Sequence, residues 1–196
     1  MSPRKPKQAA PVSRRPESMA PLRRALLRRK KAELVDALLE LAQADRGVRR
    51  QLTARFEVAA AADELVAATQ QAITDATYFD KRDINRNFAY DYEAYHEVKR
   101  NLDRLIAGGE LRQALVLALE LMKQGSYQVE MSDEGLMAQD IEGCLDVVVQ
   151  ALAKGNLPAN EVIAWCSAML DNDRVGFIAE KSLQSLRDRA QASAGR

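Results

Sequence analysis

The sequence predicts an all-α protein in which antiparallel helical pairs form an α-solenoid-like array. Apolar residues recur every three to four positions from Leu22 to Leu186, which is the periodicity of amphipathic helices. The 32 alanines and 23 leucines far outnumber the 23 valines, isoleucines and threonines taken together. Because β-branched side chains lose rotamer freedom in helices and pack well in sheets, this balance favours helices. Glycine and proline interrupt the apolar stripes often enough to predict eight or nine helices over residues 22–190.

Charge divides the chain sharply. Residues 1–31 hold eleven lysines and arginines but one acid, Glu17, so their net charge is +10, whereas the remainder carries −9. Five of the six prolines lie in the first 21 residues, where few large apolar side chains are available for burial. We therefore predict a disordered basic tail over 1–20, a single helical domain over 21–190 and a disordered C-terminus over 191–196.

The N-terminal helices are predicted from three stripes. The first begins after Pro21 and continues through residue 42, and Gly47 is expected to break it. Shorter stripes over 48–56 and 62–73 predict two further helices. Residues 76–87 are polar and lack any period, which predicts a loop.

The C-terminal helices are longer, and their predicted ends rest on particular residues. Gly108 and Gly109 should end the helix that starts near residue 88, by supplying left-handed backbone. The next helix begins at Leu111 and is expected to close near Gly125. Ser132 is predicted to cap the helix after it, because Asp133 and Glu134 would then lie in the first turn. The last two helices are predicted to begin at Pro158, a good helix start, and after the polar loop 171–176. Paired helices of this kind are typical of TPR- and HEAT-like arrays.

Composition excludes several classes of protein. No apolar run approaches the about 18–20 residues that a bilayer span needs. The basic N-terminus lacks the apolar core of a signal peptide, so we expect a cytoplasmic protein. Two cysteines and one histidine cannot form a disulfide framework or a four-ligand Cys/His zinc site.

Three short motifs resemble catalytic or metal sites without completing them. Glu93-x-x-His96 has the spacing of a di-iron helix, but His96 is the one histidine in the sequence. Asp171-x-Asp173 begins like a calcium loop, yet the later ligand positions are not filled, so we predict a turn with Gly176 in an unusual conformation. The two cysteines occupy apolar helix positions and are expected to be buried and reduced. We therefore predict no catalytic, cofactor-binding or metal-binding residue.

Six of the ten aromatic residues lie between residues 78 and 95, among basic residues. Such a cluster can stack unpaired bases or hold a peptide. We favour the alternative that the rings close the junction between the N-terminal and C-terminal helices. The basic segment 23–31 is either the solvated face of a helix or an extension of the tail into an anion-binding strip. The candidate partner or nucleic-acid contacts are Arg4, Lys5, Lys7, Arg14, Arg15, Arg23, Arg24, Arg28, Arg29, Lys30, Lys31, Tyr78, Phe79, Lys81, Arg82 and Arg86.

Residues 31–52 carry a leucine-rich helical pattern, an acidic residue and then Arg49-Arg50-x-Leu52. This text resembles a helical module of bacterial SWIM zinc-finger proteins and a related helical-repeat family, and the likeness extends through most of residues 31–187. It implies an α-helical repeat-like domain with no established activity. The SWIM motif itself needs a Cys-x-Cys and a Cys-x-His, and neither is present, so zinc-dependent DNA binding is not implied.

Together these features favour a non-catalytic adaptor or scaffold that binds a protein partner, because stacked helical hairpins present extended surfaces. An enzyme is the competing class, since sites are grafted onto folds and need not show motifs. The alternative function is that of a nucleic-acid-binding accessory protein, in which the basic tail neutralises phosphates. The tail could equally dock on an acidic protein surface or act only as a solubilising extension.

Overall fold

The computed structural model describes residues 19–55, 61–80, 82 and 89–194. Within these residues it contains nine α-helices and no strand, which confirms the predicted all-α class. The helices are α1 (Ala20–Leu26), α2 (Lys31–Ala44), α3 (Arg46–Arg55), α4 (Ala62–Ala76), α5 (Tyr92–Ala107), α6 (Leu111–Met131), α7 (Ala138–Lys154), α8 (Ala159–Asn172) and α9 (Glu180–Ala194).

The predicted disordered segments have different outcomes. Residues 1–18 of the predicted tail lie outside the described part of the chain. At the other end, α9 continues through Ala194, so residues 191–194 are helical and the prediction of disorder there is wrong. This extension is rich in alanine, the strongest helix former, and the Ser193 hydroxyl donates to the carbonyl of Arg189 at 3.0 Å.

Contacts along the chain group into two compact units, residues 1–55 and 56–196, whereas the sequence predicts one domain over 21–190. In the first unit, α2 packs against α3. Asp45 separates them: its backbone is extended, and its Oδ1 accepts from the N–H groups of Gly47 at 2.7 Å and Val48 at 3.2 Å. Gly47 itself lies inside α3, so Asp45 rather than Gly47 ends the first long stripe.

The second unit is a two-layered array of helices. The helices α4, α6 and α8 form one layer, in which α6 packs against both of the others. The helices α5, α7 and α9 form the second layer, with α7 in the middle. Connections of six and seven residues join α6 to α7 and α8 to α9, and each of these pairs packs together as an antiparallel hairpin.

Side-chain contacts fix the relative direction of α6 and α8. Near their starts, Arg112 pairs with Glu161 at 3.2 Å. Further along, the indole N–H of Trp165 donates to the carbonyl of Leu115 at 3.0 Å. At their far ends, the hydroxyl of Ser126 donates to the carbonyl of Asn172 at 3.0 Å. The order of these contacts along both helices shows that α6 and α8 run parallel, as corresponding helices of successive hairpins must.

One apolar core lies between the two layers. Its largest enclosed side chains include Ile73 of α4, Leu102 of α5, Leu121 of α6, Leu145 of α7 and Met169 of α8. These residues all belong to the stripes from which the sequence predicts helices. Both cysteines are buried here, as predicted.

Two predicted helix ends are wrong, and both lie around α6. This helix does not close at Gly125 but runs on to Met131. Ser132 then follows α6 instead of capping α7: its hydroxyl donates to the carbonyl of Val129 at 3.0 Å and accepts from the N–H of Gly135 at 2.8 Å. The predicted ends at Gly109, with φ of +87°, and at Pro158, which precedes α8, are confirmed.

Gly125 has a steric role. A Cβ atom placed there would lie 2.7 Å from Cδ1 of Ile141, so the missing side chain lets α6 approach α7 closely. We expect Gly125→Val to lower the free energy of unfolding in urea by about 1–3 kcal/mol, the usual cost of overpacking a core. The matched control is Gly143→Val on α7, where a Cβ would meet only Nζ of Lys99, at 3.9 Å.

Ile141→Val removes the atom that the new side chain would strike. Combined with Gly125→Val it should cost less than the sum of the two single changes, because the two side chains compete for one space. Additive costs in this double-mutant cycle, or an equal loss from Gly143→Val, would show that Gly125 is not a packing residue.

Candidate functional site

The predicted contact residues divide between the two units. Arg4, Lys5, Lys7, Arg14, Arg15, Lys81 and Arg86 lie outside the described residues. Six basic residues of the first unit are exposed: Arg23, Arg24, Arg28, Arg29, Lys30 and Lys31. The remaining three, Tyr78, Phe79 and Arg82, belong to the connection after α4 in the second unit.

In the first unit, apolar side chains face solvent beside these basic residues. No side chain of α1 or α2 is buried. A groove of about 340 Å³ lies along α1 and the start of α2, and two arginines are among the residues that line it. It is lined by Met19, Leu22, Arg23, Leu26, Leu27, Arg29 and Leu34. The structure therefore combines apolar and cationic contacts in this unit.

In the second unit, the connections that follow α4, α6 and α8 form one edge of the array. Gln128, near the end of α6, donates through Nε2 to the carbonyls of Ala76 at 2.9 Å and Tyr78 at 3.3 Å. Ser126 donates to the last residue of α8, as described above. The ends of the three helices are therefore side by side, and so are the described residues that directly follow them.

Among the residues that the structure describes, each of these connections has one large apolar side chain that is mostly exposed. Tyr78 is 70% exposed, Leu136 59% and Phe177 53%. We call the surface formed by these residues together with Phe79, Tyr127 and Arg174 the loop edge. The ring centroids of Phe79 and Tyr127 lie 5.7 Å apart. The guanidinium of Arg174 lies 4.8 Å from the Tyr127 ring centroid and pairs with Glu130 at 3.0 Å, so rings and charge connect the three helices.

Two of the exposed side chains belong to a repeated motif. Residues 135–138 read Gly-Leu-Met-Ala, and residues 176–179 read Gly-Phe-Ile-Ala, 41 positions later. Both glycines have positive φ, +61° at Gly135 and +74° at Gly176, a backbone region that favours glycine. The third residue of each motif is buried, whereas the second is exposed. The backbone turn thus inserts one apolar side chain into the core and turns its neighbour to solvent.

Of the loop-edge residues, only Tyr78 and Phe79 are predicted as contacts from the sequence. The repeated glycine–apolar–apolar–alanine motif was the available signal for Leu136 and Phe177, and it is too short to stand out without the paired φ angles. Tyr127 and Arg174 gave no signal, because they lie on separate hairpins that only the fold brings together.

Arg82 is engaged within its own connection. Its Nη2 lies 2.6 Å from Oδ2 of Asp80, and this hydrogen-bonded guanidinium lowers the pKa of the Asp80 carboxyl. Phe79, in turn, contacts Tyr127. Two residues of the cluster that could stack bases, Phe79 and Arg82, therefore make contacts within the chain itself. Tyr90, which precedes α5, donates through its hydroxyl to the Asp140 carboxylate of α7 at 2.8 Å.

The two cysteine thiols are enclosed. Burial raises the pKa of the Cys144 thiol to about 12, and that of Cys166 to about 11. The Cys144 thiol also donates to the carbonyl of Tyr95 at 3.3 Å. Both thiols are therefore protonated near neutral pH, whereas the thiolate is the nucleophilic form.

The motifs that resemble metal sites have other contacts. His96 is exposed and lies against the Tyr92 ring, with centroids 4.2 Å apart. The Asp173 carboxylate accepts from the N–H groups of Val175 at 3.1 Å and Ile178 at 2.8 Å, and so stabilises the predicted turn. Among the described residues, no group of three or more His, Cys, Asp or Glu side chains could hold a metal ion.

No protein-family model, curated protein or solved structure matches this chain. The resemblance to the helical module of SWIM proteins accordingly stays a prediction. Within the described part of the chain, no helix has both the length and the apolar character needed to cross a membrane.

The buried thiols predict an alkaline loss of stability. The folded chain retains the Cys144 proton up to a pKa of about 12, whereas the unfolded chain releases it near the ordinary value of 9.0. As pH rises from about 9 towards about 12, the unfolded state is therefore favoured and the free energy of unfolding falls. The fall should be shallower in Cys144→Ala, which lacks this proton. Urea unfolding at a series of pH values checks it, and identical alkaline slopes in the two proteins would contradict the assignment.

Proposed function

We propose that the chain is a non-catalytic protein-interaction module, an adaptor or scaffold, and that it holds its partner at the loop edge. The observation that carries this proposal is the exposure of Leu136 and Phe177 at equivalent positions of successive hairpins. In each motif the following residue already fills the core, so packing within the unit does not account for the exposed side chain. A large apolar side chain aligned with another across repeated hairpins is suited to bind a partner.

The surroundings of these side chains support the same proposal. Aromatic rings and arginine are the residue types that contribute most at protein interfaces. Tyr127 and Arg174 are held by their mutual contact and by Glu130, so little side-chain entropy would be lost when a partner binds. A solenoid-like extension of the hairpins into one continuous binding surface remains part of the proposal.

The test removes the two exposed side chains together. In the double variant Leu136→Ser, Phe177→Ser, we expect the partner that the wild-type chain captures from cell lysate to be lost by at least about tenfold, since each buried apolar side chain contributes that much or more to affinity. Quantitative mass spectrometry of the captured proteins, followed by a binding titration with the purified partner, measures the loss.

The matched control is Val116→Ser on α6. Val116 is 65% exposed, as open as the loop-edge side chains, but it lies near the start of α6 and away from the edge. This control should retain the partner. The wild type, the double variant and the control should have the same thermal unfolding midpoint, because the changed side chains are not in the core. Equal capture by the double variant and wild type would contradict the proposal.

Nucleic-acid binding through the basic segment is the second candidate. All six basic residues from Arg23 to Lys31 are exposed, and exposed cations release counterions when they contact phosphates. We expect binding of single-stranded or duplex nucleic acid to be sequence-independent and to weaken steeply with salt. Changing Arg23, Arg24, Arg28 and Arg29 to Ser should reduce the salt slope by about three to four, close to one for each lost phosphate contact. A salt series of fluorescence-anisotropy titrations checks this, and an unchanged slope or no binding at low salt would exclude it.

A further inference from the structure

The exposed apolar side chains of the loop edge lie beside carboxylates. The Asp173 carboxylate accepts from the backbone N–H of the residue after Phe177 at 2.8 Å, and Oε1 of Glu142 accepts from the next N–H along the chain at 3.1 Å. Two carboxylates are therefore bound to the two residues that directly follow Phe177. Because Glu142 belongs to α7, its contact also holds Phe177 close to the start of α7, which Leu136 precedes.

Acidic residues outnumber basic ones in the connections of the loop edge and the turns beside them. Their described residues carry nine acidic and three basic side chains, a net charge of −6, counted over 77–80, 82, 130–142 and 171–181. Two of the three bases already have acidic partners, since Arg82 pairs with Asp80 and Arg174 with Glu130. The exposed apolar side chains are therefore surrounded by a surplus of negative charge.

The acids at the ends of α4, α6 and α8 are placed against the helix dipole. Each of these helices has an acid and no base in its last turn: Asp75, Glu130 and Asp171. The last turn is the negative end of the helix dipole, where further negative charge is unfavourable. At the other end of the hairpins, α5 and α7 instead have Arg104 and Lys154 in their last turns. Helix stability therefore does not account for the acids at the loop edge.

Leu136 and Phe177 are spaced as two residues on one face of a partner helix would be. Leu136 lies two residues before α7 and Phe177 three residues before α9, and these two helices pack together. Packed helices lie about 8–10 Å apart. On a single helix, residues seven positions apart share a face and lie about 10.5 Å apart. One helix that crosses the loop edge can therefore contact both side chains.

We propose that the partner bound at the loop edge contributes a basic amphipathic helix. Its apolar residues, seven positions apart, cover Leu136 and Phe177, and its lysines and arginines face the surrounding carboxylates. This inference rests on the proposed function, because it names the chemistry of the partner at the same surface. The negative charge of the edge repels phosphate groups, which disfavours nucleic acid and anionic lipid as the occupant.

A designed peptide serves as the probe. It has about 18 residues, enough to form a helix when bound, and consists of lysine and alanine with two leucines seven positions apart and a fluorescein label. We expect the full chain to bind it in fluorescence-anisotropy titrations, with an affinity that falls as salt screens the charges. A peptide of the same composition with its leucines five positions apart presents them on different faces. It should bind about tenfold more weakly, because it can make only one of the two apolar contacts.

Two exposed acids at the edge, Asp133 and Asp171, supply the charge test. Asp133→Asn with Asp171→Asn should weaken binding of the lysine peptide by about tenfold at low salt and by less at high salt. The matched control is Asp103→Asn with Asp146→Asn, which changes the net charge equally at exposed positions within α5 and α7. This control should bind the peptide as the wild type does. The edge variant should unfold no more easily than the control, because Asp171 lies at the negative end of α8.

The partner captured from lysate separates this inference from the proposed function. If Leu136→Ser, Phe177→Ser loses that partner while Asp133→Asn, Asp171→Asn captures it as well as wild type, the basic helix is excluded and the proposed function stands. Equal capture by both variants contradicts the proposed function itself. Loss in both variants, with the partner retained by the control that carries Asp103→Asn and Asp146→Asn, supports both.

Three other results would overturn the inference. The first is the absence of lysine-peptide binding at low salt. The second is equal binding of the two leucine spacings, or tighter binding of a peptide with glutamate in place of lysine. The third is a chain that dimerises in sedimentation equilibrium and loses its dimer in Leu136→Ser, Phe177→Ser, which would assign the loop edge to a second copy instead.

Discussion

The second unit depends on one fully buried amide, that of Gln128. Its Oε1 accepts from the Tyr95 hydroxyl at 2.6 Å, and its Nε2 donates to backbone carbonyls at the end of α4. One side chain of α6 thereby binds α5 in the opposite layer and α4 in its own layer. Because an unpaired buried polar group costs about 1–3 kcal/mol, the three helices must keep their register for the amide to stay satisfied.

This constraint also determines where the loop edge lies. The same amide binds the carbonyl of Tyr78, and Thr77, which follows α4, donates to Oε1 of Gln124 at 2.9 Å. The first residues of the connection after α4 are therefore held against α6. Tyr78 is directed to solvent as a consequence, while Phe79 reaches Tyr127. The buried hydrogen bonds of the core thus fix the backbone of this connection, and the backbone in turn sets which of its side chains are exposed.

The two units expose apolar side chains for different reasons. In the second unit, a buried core spans six helices, and two of the exposed apolar residues, Leu136 and Phe177, directly follow glycines with positive φ. The first unit has helices with clear apolar stripes, yet neither α1 nor α2 buries a side chain. The apolar stripes of α1 and α2 resemble those of core helices, but the first unit has too few helices to bury them.

The helical segments and the core residues could be predicted from the sequence, because the 3.6-residue period of apolar residues in α4 to α9 is a local property. Helix ends followed only where the ending residue acts through its own backbone, as Gly109 and Pro158 do. The predicted helix end at Gly125 was wrong, because a glycine within a stripe can either break a helix or allow a neighbouring helix to approach closely. Only the position of Ile141 distinguishes these two roles. The predicted cap at Ser132 was wrong, because its hydroxyl can bind backbone groups of the helix before it as well as of the helix after it.

The sequence by itself thus determined the all-α class, the burial of both cysteines and the separation of charge between the basic N-terminal segment and the rest of the chain. Only the tertiary structure decided which exposed residues lie together. Phe79, Tyr127 and Arg174 are up to 95 positions apart and share no local pattern. They meet because α4, α6 and α8 end at one edge, and that alignment results from packing and from the hydrogen bonds of Gln128 between helices distant in the chain.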